Sequence, residues 1–262
     1  MTQPPIRFDD GAAYERLMGI WSQKVGKIFL DWLAPAAGQR WIDVGCGNGA
    51  FTELLIERCA PSEIRGIDPS EGQLAFARAR LETKGGVFTQ GNAMDLPFDS
   101  NLLDIAVMAL VIHFVPNPAK GVAEMARVVR PGGTVTAYVW NHGDSPLAPV
   151  EAEMRAMGIA PLVRPGDDAQ RMETLRALWT DTGLEAVETQ TIAVTREFDD
   201  FADFWHATTG TGALTPVLAT LDPTAIAQLQ ARMRARLPAD ATGRIAYVSR
   251  ANTIKGRVPR PA

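Results

Sequence analysis

The sequence predicts an open α/β fold: a seven-stranded, mostly parallel sheet with an antiparallel last strand, helices on both faces, and a small helical cap inserted before that strand. Three observations predict it. Short apolar runs alternate with helical patterns from residue 40 to residue 140, the mark of strand–helix–strand units and a parallel sheet. The first strand runs directly into a glycine-rich turn, Gly45-Cys46-Gly47-Asn48-Gly49. After Trp140 the alternation stops, and two strand-like runs, 184–198 and 244–254, bracket a long helical insertion.

The elements follow in order. Tyr14, Leu17, Met18, Trp21, Val25, Ile28, Phe29, Trp32 and Leu33 have helical spacing, and Pro35 stops that helix. Residues 40–44 form a strand and 51–59 a helix. Residues 64–68 form a second strand that ends on an acid, Asp68. A helix over 71–82 follows, with Ser70 placed to cap it. Gly85-Gly86 turns the chain into strand 87–90, and a loop over 91–101 leads to strand 103–110. A helix over 119–129 and a Pro131-Gly132-Gly133 turn precede strand 134–140. Beyond it lie a Pro- and Gly-rich stretch with one short helix, a helix over 171–182, and the strand-like run ending at Phe198. The insertion carries aromatic anchors at Phe201, Phe204 and Trp205, and core packing is their expected role; Arg232 to Arg236 reads as a solvated helix face. The expected segments are 1–35 as an N-terminal helix, 36–198 as the core, 199–237 as the cap, and 238–262 as the last strand with a frayed basic tail, Lys255, Arg257 and Arg260.

Composition narrows the class. The chain has 262 residues, 46% hydrophobic and 21% charged, which suits a soluble globular protein with a sizeable core. A net charge of -4 gives no general attraction for nucleic-acid backbones. The two cysteines, Cys46 and Cys59, have neither a disulfide framework nor metal-ligand spacing, so no metal is expected and a reducing cytoplasm is the expected setting. No leader pattern opens the chain and no apolar run spans a bilayer.

The glycine turn is the strongest local signal. Glycines allow a tight bend and close approach of a ligand to the backbone, and the helix that follows presents free N–H groups. Gly45-x-Gly47-x-x-Ala50 also satisfies the dinucleotide fingerprint. Asp68, about twenty residues further on, is placed to accept the ribose hydroxyls of either kind of nucleoside cofactor. An NAD(P)-linked oxidoreductase and an adenosyl-sulfonium enzyme both fit so far. Asp43, two residues before the first glycine, tilts the balance: an acid there suits a cationic ligand better than two phosphates. Asn92 and Ala93, after the third strand, are placed to read an adenine edge, with Met94 or Leu96 against its face.

With these motifs in order, the chain resembles the class I S-adenosylmethionine-dependent methyltransferases, in the large group that includes the ubiquinone/menaquinone C-methyltransferases. The matching stretch runs from about Tyr14 to Trp140: Trp41-Ile42-Asp43-Val44-Gly45-Cys46-Gly47-Asn48-Gly49, then Gly66-Ile67-Asp68-Pro69-Ser70, then Gly91-Asn92-Ala93-Met94-Asp95-Leu96-Pro97-Phe98, the fourth strand to His113, and Pro131-Gly132-Gly133. The resemblance implies a Rossmann-like core and S-adenosyl-L-methionine as cofactor. It implies that Gly45, Gly47 and Gly49 wrap the methionine portion, with Asp43 holding the loop or the amino group. Asp68 then binds ribose, Asn92 and Ala93 meet adenine, and Leu110 and Val111 line the far side of the sulfonium. Cys46, Pro69, Gln73 and Met94 complete the candidate cofactor set. The N-terminal segment resembles the family's lid helix, which brings in Tyr14, Trp21 and Ser22. Asn92 departs from the Asp common in relatives, and an amide still reaches adenine.

Methyl transfer from a sulfonium is an in-line displacement with a neutral leaving group, so alignment and exclusion of water carry most of the acceleration. A base is needed only if the acceptor must lose a proton. His113, after the fourth strand, is the candidate catalytic group. His142, after the fifth strand, and Trp205, in the cap, are candidate substrate contacts, and His206 reads as a helix-capping or core histidine rather than part of a lid. The expected function is methylation of a small molecule by a monomer or homodimer, with neither nucleic acid nor membrane as partner; the alternatives are the NAD(P)-dependent oxidoreductase and a cofactor-binding protein without turnover.

Overall fold

The computed structural model describes residues 19–160, 163–210 and 214–261; Tyr14 and the expected start of the first helix lie outside them. The first described helix, α1, Ile20–Leu33, buries Trp21, Val25, Phe29 and Leu33 at four-residue spacing. It ends where Ala34 turns left-handed and donates to the Leu30 carbonyl, with Pro35 next. Then follow β1, Arg40–Val44; α2, Ala50–Cys59; β2, Glu63–Asp68; α3, Glu71–Leu81; β3, Val87–Gln90; and β4, Leu103–Ala109. A 3-10 turn, Ile112–Phe114, leads to α4, Pro118–Val128, whose N-cap Asn117 accepts from the Lys120 amide. The chain continues through β5, Val129–Trp140; α5, Ala148–Ala156; a 3-10 turn, Asp167–Gln170; α6, Met172–Asp181; and β6, Glu185–Phe198. Helices α7, Phe201–Thr209, α8, Thr215–Leu218, and α9, Pro223–Arg236, stand between β6 and β7, Ile245–Arg257.

The sheet order is β3-β2-β1-β4-β5-β7-β6. Strands β1 to β5 pair in parallel, and β7 runs antiparallel to both β5 and β6. This is the seven-stranded sheet with an antiparallel last strand that the sequence predicts. The order reverses between β1 and β4, and open α/β sheets bind ligands in the crevice outside the carboxyl ends of the strands at such a switch point.

Alternation along the strands divides the core. Trp41, Val107 and Tyr138 point to the face covered by α1, α2 and the cap. Ile42, Val44, Met108, Ala137 and Val139 point to the other, where Trp179 of α6 is fully buried and donates its indole N–H to the Val135 carbonyl at 2.9 Å.

Two expectations need correction. The basic tail is not frayed: β7 runs to Arg257, Val258 exchanges backbone hydrogen bonds with Gly132 and Gly133, and Lys255 pairs with Glu188 at 3.1 Å. The reason is that Pro131-Gly132-Gly133, expected as a turn, lies inside β5 as an irregularity, with Gly132 at φ 77°, and so offers the tail a strand to pair with. Nor is the arginine run only a solvated face. Arg232 and Arg236 both pair with Glu153 of α5, whose side chain is 3% exposed, and Arg234 lies over the Phe201 ring. A carboxylate hidden in α5 draws them inward.

Asp104, at the amino end of β4, accepts from the Arg40 amide at 2.8 Å and pairs with the Arg40 and Arg130 side chains. Burial pushes its carboxyl up, but the Arg40 and Arg130 hydrogen bonds outweigh that and hold it at about 2. A depressed carboxylate stabilises the fold above its unfolded value near 4, and that contribution is lost as pH falls from about 4 towards 2. Asp104→Asn is therefore expected to cost about 1–2 kcal/mol at pH 7, after discounting for the exposed arginines. Urea unfolding of both proteins at pH 7 and pH 3 checks this: the gap narrows at pH 3, and a gap independent of pH removes the charge explanation.

Candidate functional site

The crevice is built first by the glycine loop. Strand β1 ends at Val44, and the Gly45 and Cys46 amides donate to the Ile67 carbonyl at 2.7 and 3.0 Å, which bends the chain over the end of β2. Gly45, Gly47 and Gly49 all have positive φ, at 78°, 51° and 80°. Their surroundings differ. A Cβ on Gly45 would sit 2.5 Å from Val111 Cγ1, so this glycine lets the loop close on the exit of β4. A Cβ on Gly49 would meet Ala77 at 3.1 Å and Leu81 at 3.3 Å, so that glycine lets α2 pack on α3. Gly47 faces open space: the nearest side-chain atom to its would-be Cβ is Gln73 Oε1, 3.9 Å away. It is the glycine of the three that leaves room for a ligand.

Two carboxylates flank the loop. Asp68, at the end of β2, accepts the Gly47 amide on Oδ2 at 3.0 Å and the Ser70 amide on Oδ1 at 2.9 Å. Burial raises its titration and these two amides oppose that. Its own carbonyl accepts the Gly91 amide at 3.1 Å, which joins the loop after β3 to the same edge. Asp43 is fully buried in β1. Its Oδ2 accepts the Thr52 hydroxyl at 2.7 Å, and its Oδ1 meets no donor among the described residues. Burial lifts this carboxyl to about 7, with Thr52 opposing and the charge of Asp68 adding to the rise. The Cys46 thiol is pushed well up, first by burial and then by the two acids, so it stays a neutral wall group.

The remaining candidate cofactor residues reach the same edge. Gln73 is buried in α3 and stands closest to the open side of Gly47, while Pro69 is exposed beside Asp68. Asn92 is exposed, and its Oδ1 accepts the Met94 amide at 2.9 Å, so the side chain shapes its own loop and has its amide nitrogen left for a ligand. Ala93 and Met94 pack partly against the core. The loop is held from α4: Glu124 accepts the Leu96 amide, and Arg127 donates to the Leu96 and Phe98 carbonyls. Leu110, just past β4, is buried with φ 62° and donates its amide to Tyr138. A branched side chain held left-handed is a strained geometry of the kind that collects at ligand sites, and it turns Val111 onto Gly45.

The other candidates make contacts of their own. Trp21 is 2% exposed and wedged edge-on against Trp140 and Tyr247, a packing position. His113 is buried in the 3-10 turn, against Phe114, with no partner on Nδ1 among the described residues. Burial, then the Arg164 guanidinium, hold its titration well below the usual range, which makes it a weak base. His142 is exposed in the loop after β5, and Trp205 stacks on Phe201 within the cap. Thr52 joins the site through the fold alone; its sequence signal is its position three residues beyond Gly49, on the helix that the loop feeds.

A methyltransferase domain family matches residues 42–137, from β1 through most of β5. The demethylmenaquinone methyltransferase of Lactococcus lactis is 30% identical over 190 residues, 65% of this chain and 74% of the relative. The chain belongs to the class I S-adenosylmethionine-dependent methyltransferases. An uncharacterized methyltransferase of Mycobacterium tuberculosis is 35% identical over 159 residues, and the matched stretch spans 61% of each chain. The fold is shared with the phosphoethanolamine N-methyltransferase 2 of Haemonchus contortus, solved with phosphomonomethylethanolamine and S-adenosylhomocysteine, at TM-score 0.60 and 18% identity, over 96% of this chain and 58% of that one. The family match ends inside β5, so the cap and the strands around it lie outside it. No described helix is long and apolar enough to cross a membrane, and the described residues hold no cluster of metal-ligating side chains.

The crevice suits this family's cofactor. A buried carboxylate oxygen without a donor and an open glycine call for a cationic group. Two acids close together repel a diphosphate. The antiparallel β7 also departs from the parallel last strand expected of the NAD(P)-linked alternative.

Proposed function

We propose that this chain transfers a methyl group from S-adenosylmethionine to a small organic acceptor, and the observation that carries the reading is the buried Asp43 Oδ1, without a donor among the described residues, on the strand that feeds the loop of the open Gly47. Bound there, the cofactor supplies an electrophilic methyl on a sulfonium. The residues of the chain then bind, orient and exclude water. Gly47 and its neighbours cradle the amino-acid end, and Asp43 offsets its positive charge. Asp68 keeps lone pairs on both oxygens beyond its two amide bonds and uses them for the ribose hydroxyls. Asn92 and Ala93 meet the adenine edge, with Met94, Pro69 and Gln73 around it. Leu110 and Val111 form the apolar wall beside the sulfur.

The acceptor enters, in this reading, between the carboxyl end of the sheet and the lid formed by the N-terminal helix and the cap, near His142 and Trp205. The weak basicity of His113 supports a transfer driven by alignment rather than by a strong protein base. A net charge of -4 supports a small-molecule rather than a nucleic-acid acceptor, and we take the working form to be a cytoplasmic monomer or homodimer. Isothermal titration tests the reading: S-adenosylhomocysteine is expected to bind and NAD(H) and NADP(H) to give no heat. Nicotinamide nucleotide binding without S-adenosylhomocysteine binding overturns it.

A further inference from the structure

Thr52 sits in the first turn of α2, is fully buried, and spends its hydroxyl proton on Asp43 Oδ2 at 2.7 Å. That bond treats the two carboxylate oxygens unequally: one is held from α2, and the other is buried without a donor among the described residues. We propose that Thr52 is a positioning residue for cofactor binding, holding Asp43 so that its second oxygen receives the cofactor's cationic end, and that this capture drives a proton off the Asp43 carboxyl. The proposal rests on the reading of the crevice as an S-adenosylmethionine site.

The balance is simple. The O–H bond of a neutral Asp43 carboxyl breaks, the proton goes to solvent, and the carboxylate pairs with the incoming ammonium. The surroundings favour such an exchange near neutrality. Burial, with Thr52 opposing it, holds the free carboxyl at about 7, and no cation among the described residues acts to lower it. Asp68, at the end of β2, adds a like charge, and the Cys46 thiol of the loop stays neutral. From β4 the paired residue is apolar Val107, α2 presents Thr52 beside Phe51, and α1 packs Phe29 on Phe51. The incoming cation is therefore the missing counter-charge, and Thr52 is the hydrogen bond that keeps ionisation within reach.

The sign follows by linkage. A ligand that needs the ionised carboxylate binds more weakly as pH falls, tenfold per unit below the midpoint near 7, and levels off above it. The ligand's own amino group titrates near 8 and stays protonated through that range. Titration with S-adenosylhomocysteine between pH 5.5 and 7.5, in pairs of buffers with different ionisation heats, counts the protons released. The wild-type protein is expected to release close to one proton per ligand at pH 6. Asp43→Asn is expected to release none in that window. Thr52→Val, close in shape, is expected to move the midpoint up by about one pH unit, and Thr52→Ser to restore it. Binding by the wild-type protein with no proton release and with affinity flat across the window overturns the proposal and leaves the cofactor assignment standing. So does an unmoved midpoint in Thr52→Val. Absence of S-adenosylhomocysteine binding by the wild-type protein at every pH overturns both.

Discussion

Replacing Asp68 by alanine is expected to weaken S-adenosylhomocysteine binding by about 100-fold or more, the loss of two charge-assisted hydrogen bonds at roughly 1.5–3 kcal/mol each. The structure gives this residue two tasks. Its outward lone pairs are free for ribose, and its inward ones hold the Gly47 amide at 3.0 Å and the Ser70 amide at 2.9 Å. Alanine removes the ribose acceptor and also unties the glycine loop from the end of β2. Asp68→Asn separates the two tasks, because the amide keeps one accepting oxygen and loses the charge. Its affinity is expected between those of the wild type and Asp68→Ala. Thermal unfolding without ligand serves as the control: both variants should unfold as one cooperative transition. Unchanged affinity in folded Asp68→Ala takes the residue out of the site.

The sheet is legible in the sequence because crossover helices separate most of the parallel strands from one another, and that alternation shows as a change of period. Strand 87–90 is legible to the residue from the glycines that bound it, Gly85-Gly86 and Gly91. The Pro131-Gly132-Gly133 segment misled, because a bulge and a turn use the same residues and only the partner strand decides between them. That partner is β7, more than a hundred residues away in sequence. A long separation, 79 residues from Glu153 to Arg232, likewise hides the Glu153 pairs with Arg232 and Arg236, since a lone acid in a helix gives no sign of the arginines it meets. At the crevice, the motif named the three glycines but gave them one role. Whether each faces Val111, Ala77 or nothing depends on the neighbouring helix and on the left-handed Leu110, neither of which local pattern reveals.

Those unequal surroundings make the glycines a graded test. Gly47→Val is expected to abolish binding: its side chain would fill the space that the loop leaves for the ligand, where the nearest side-chain atom is 3.9 Å from the new Cβ. The fold itself should lose only about 1–2 kcal/mol, the cost of an L side chain in a left-handed conformation. Gly38→Val isolates that cost. Gly38 has φ 75° and nothing within 4 Å of a would-be Cβ, and it precedes β1, at the edge of the sheet away from the crevice. The two variants should therefore show similar drops in urea midpoint, with only Gly38→Val still titrating S-adenosylhomocysteine near the wild-type affinity. Gly45→Val stands apart, because its Cβ would lie 2.5 Å from Val111 and must push β1 away from the exit of β4, so its stability should fall well below both. If Gly47→Val keeps the wild-type affinity while as stable as Gly38→Val, the open side of the loop is solvent and not a ligand cradle. Strain and occlusion are thus read on separate axes, and a ligand site is the one reading that moves the second without the first.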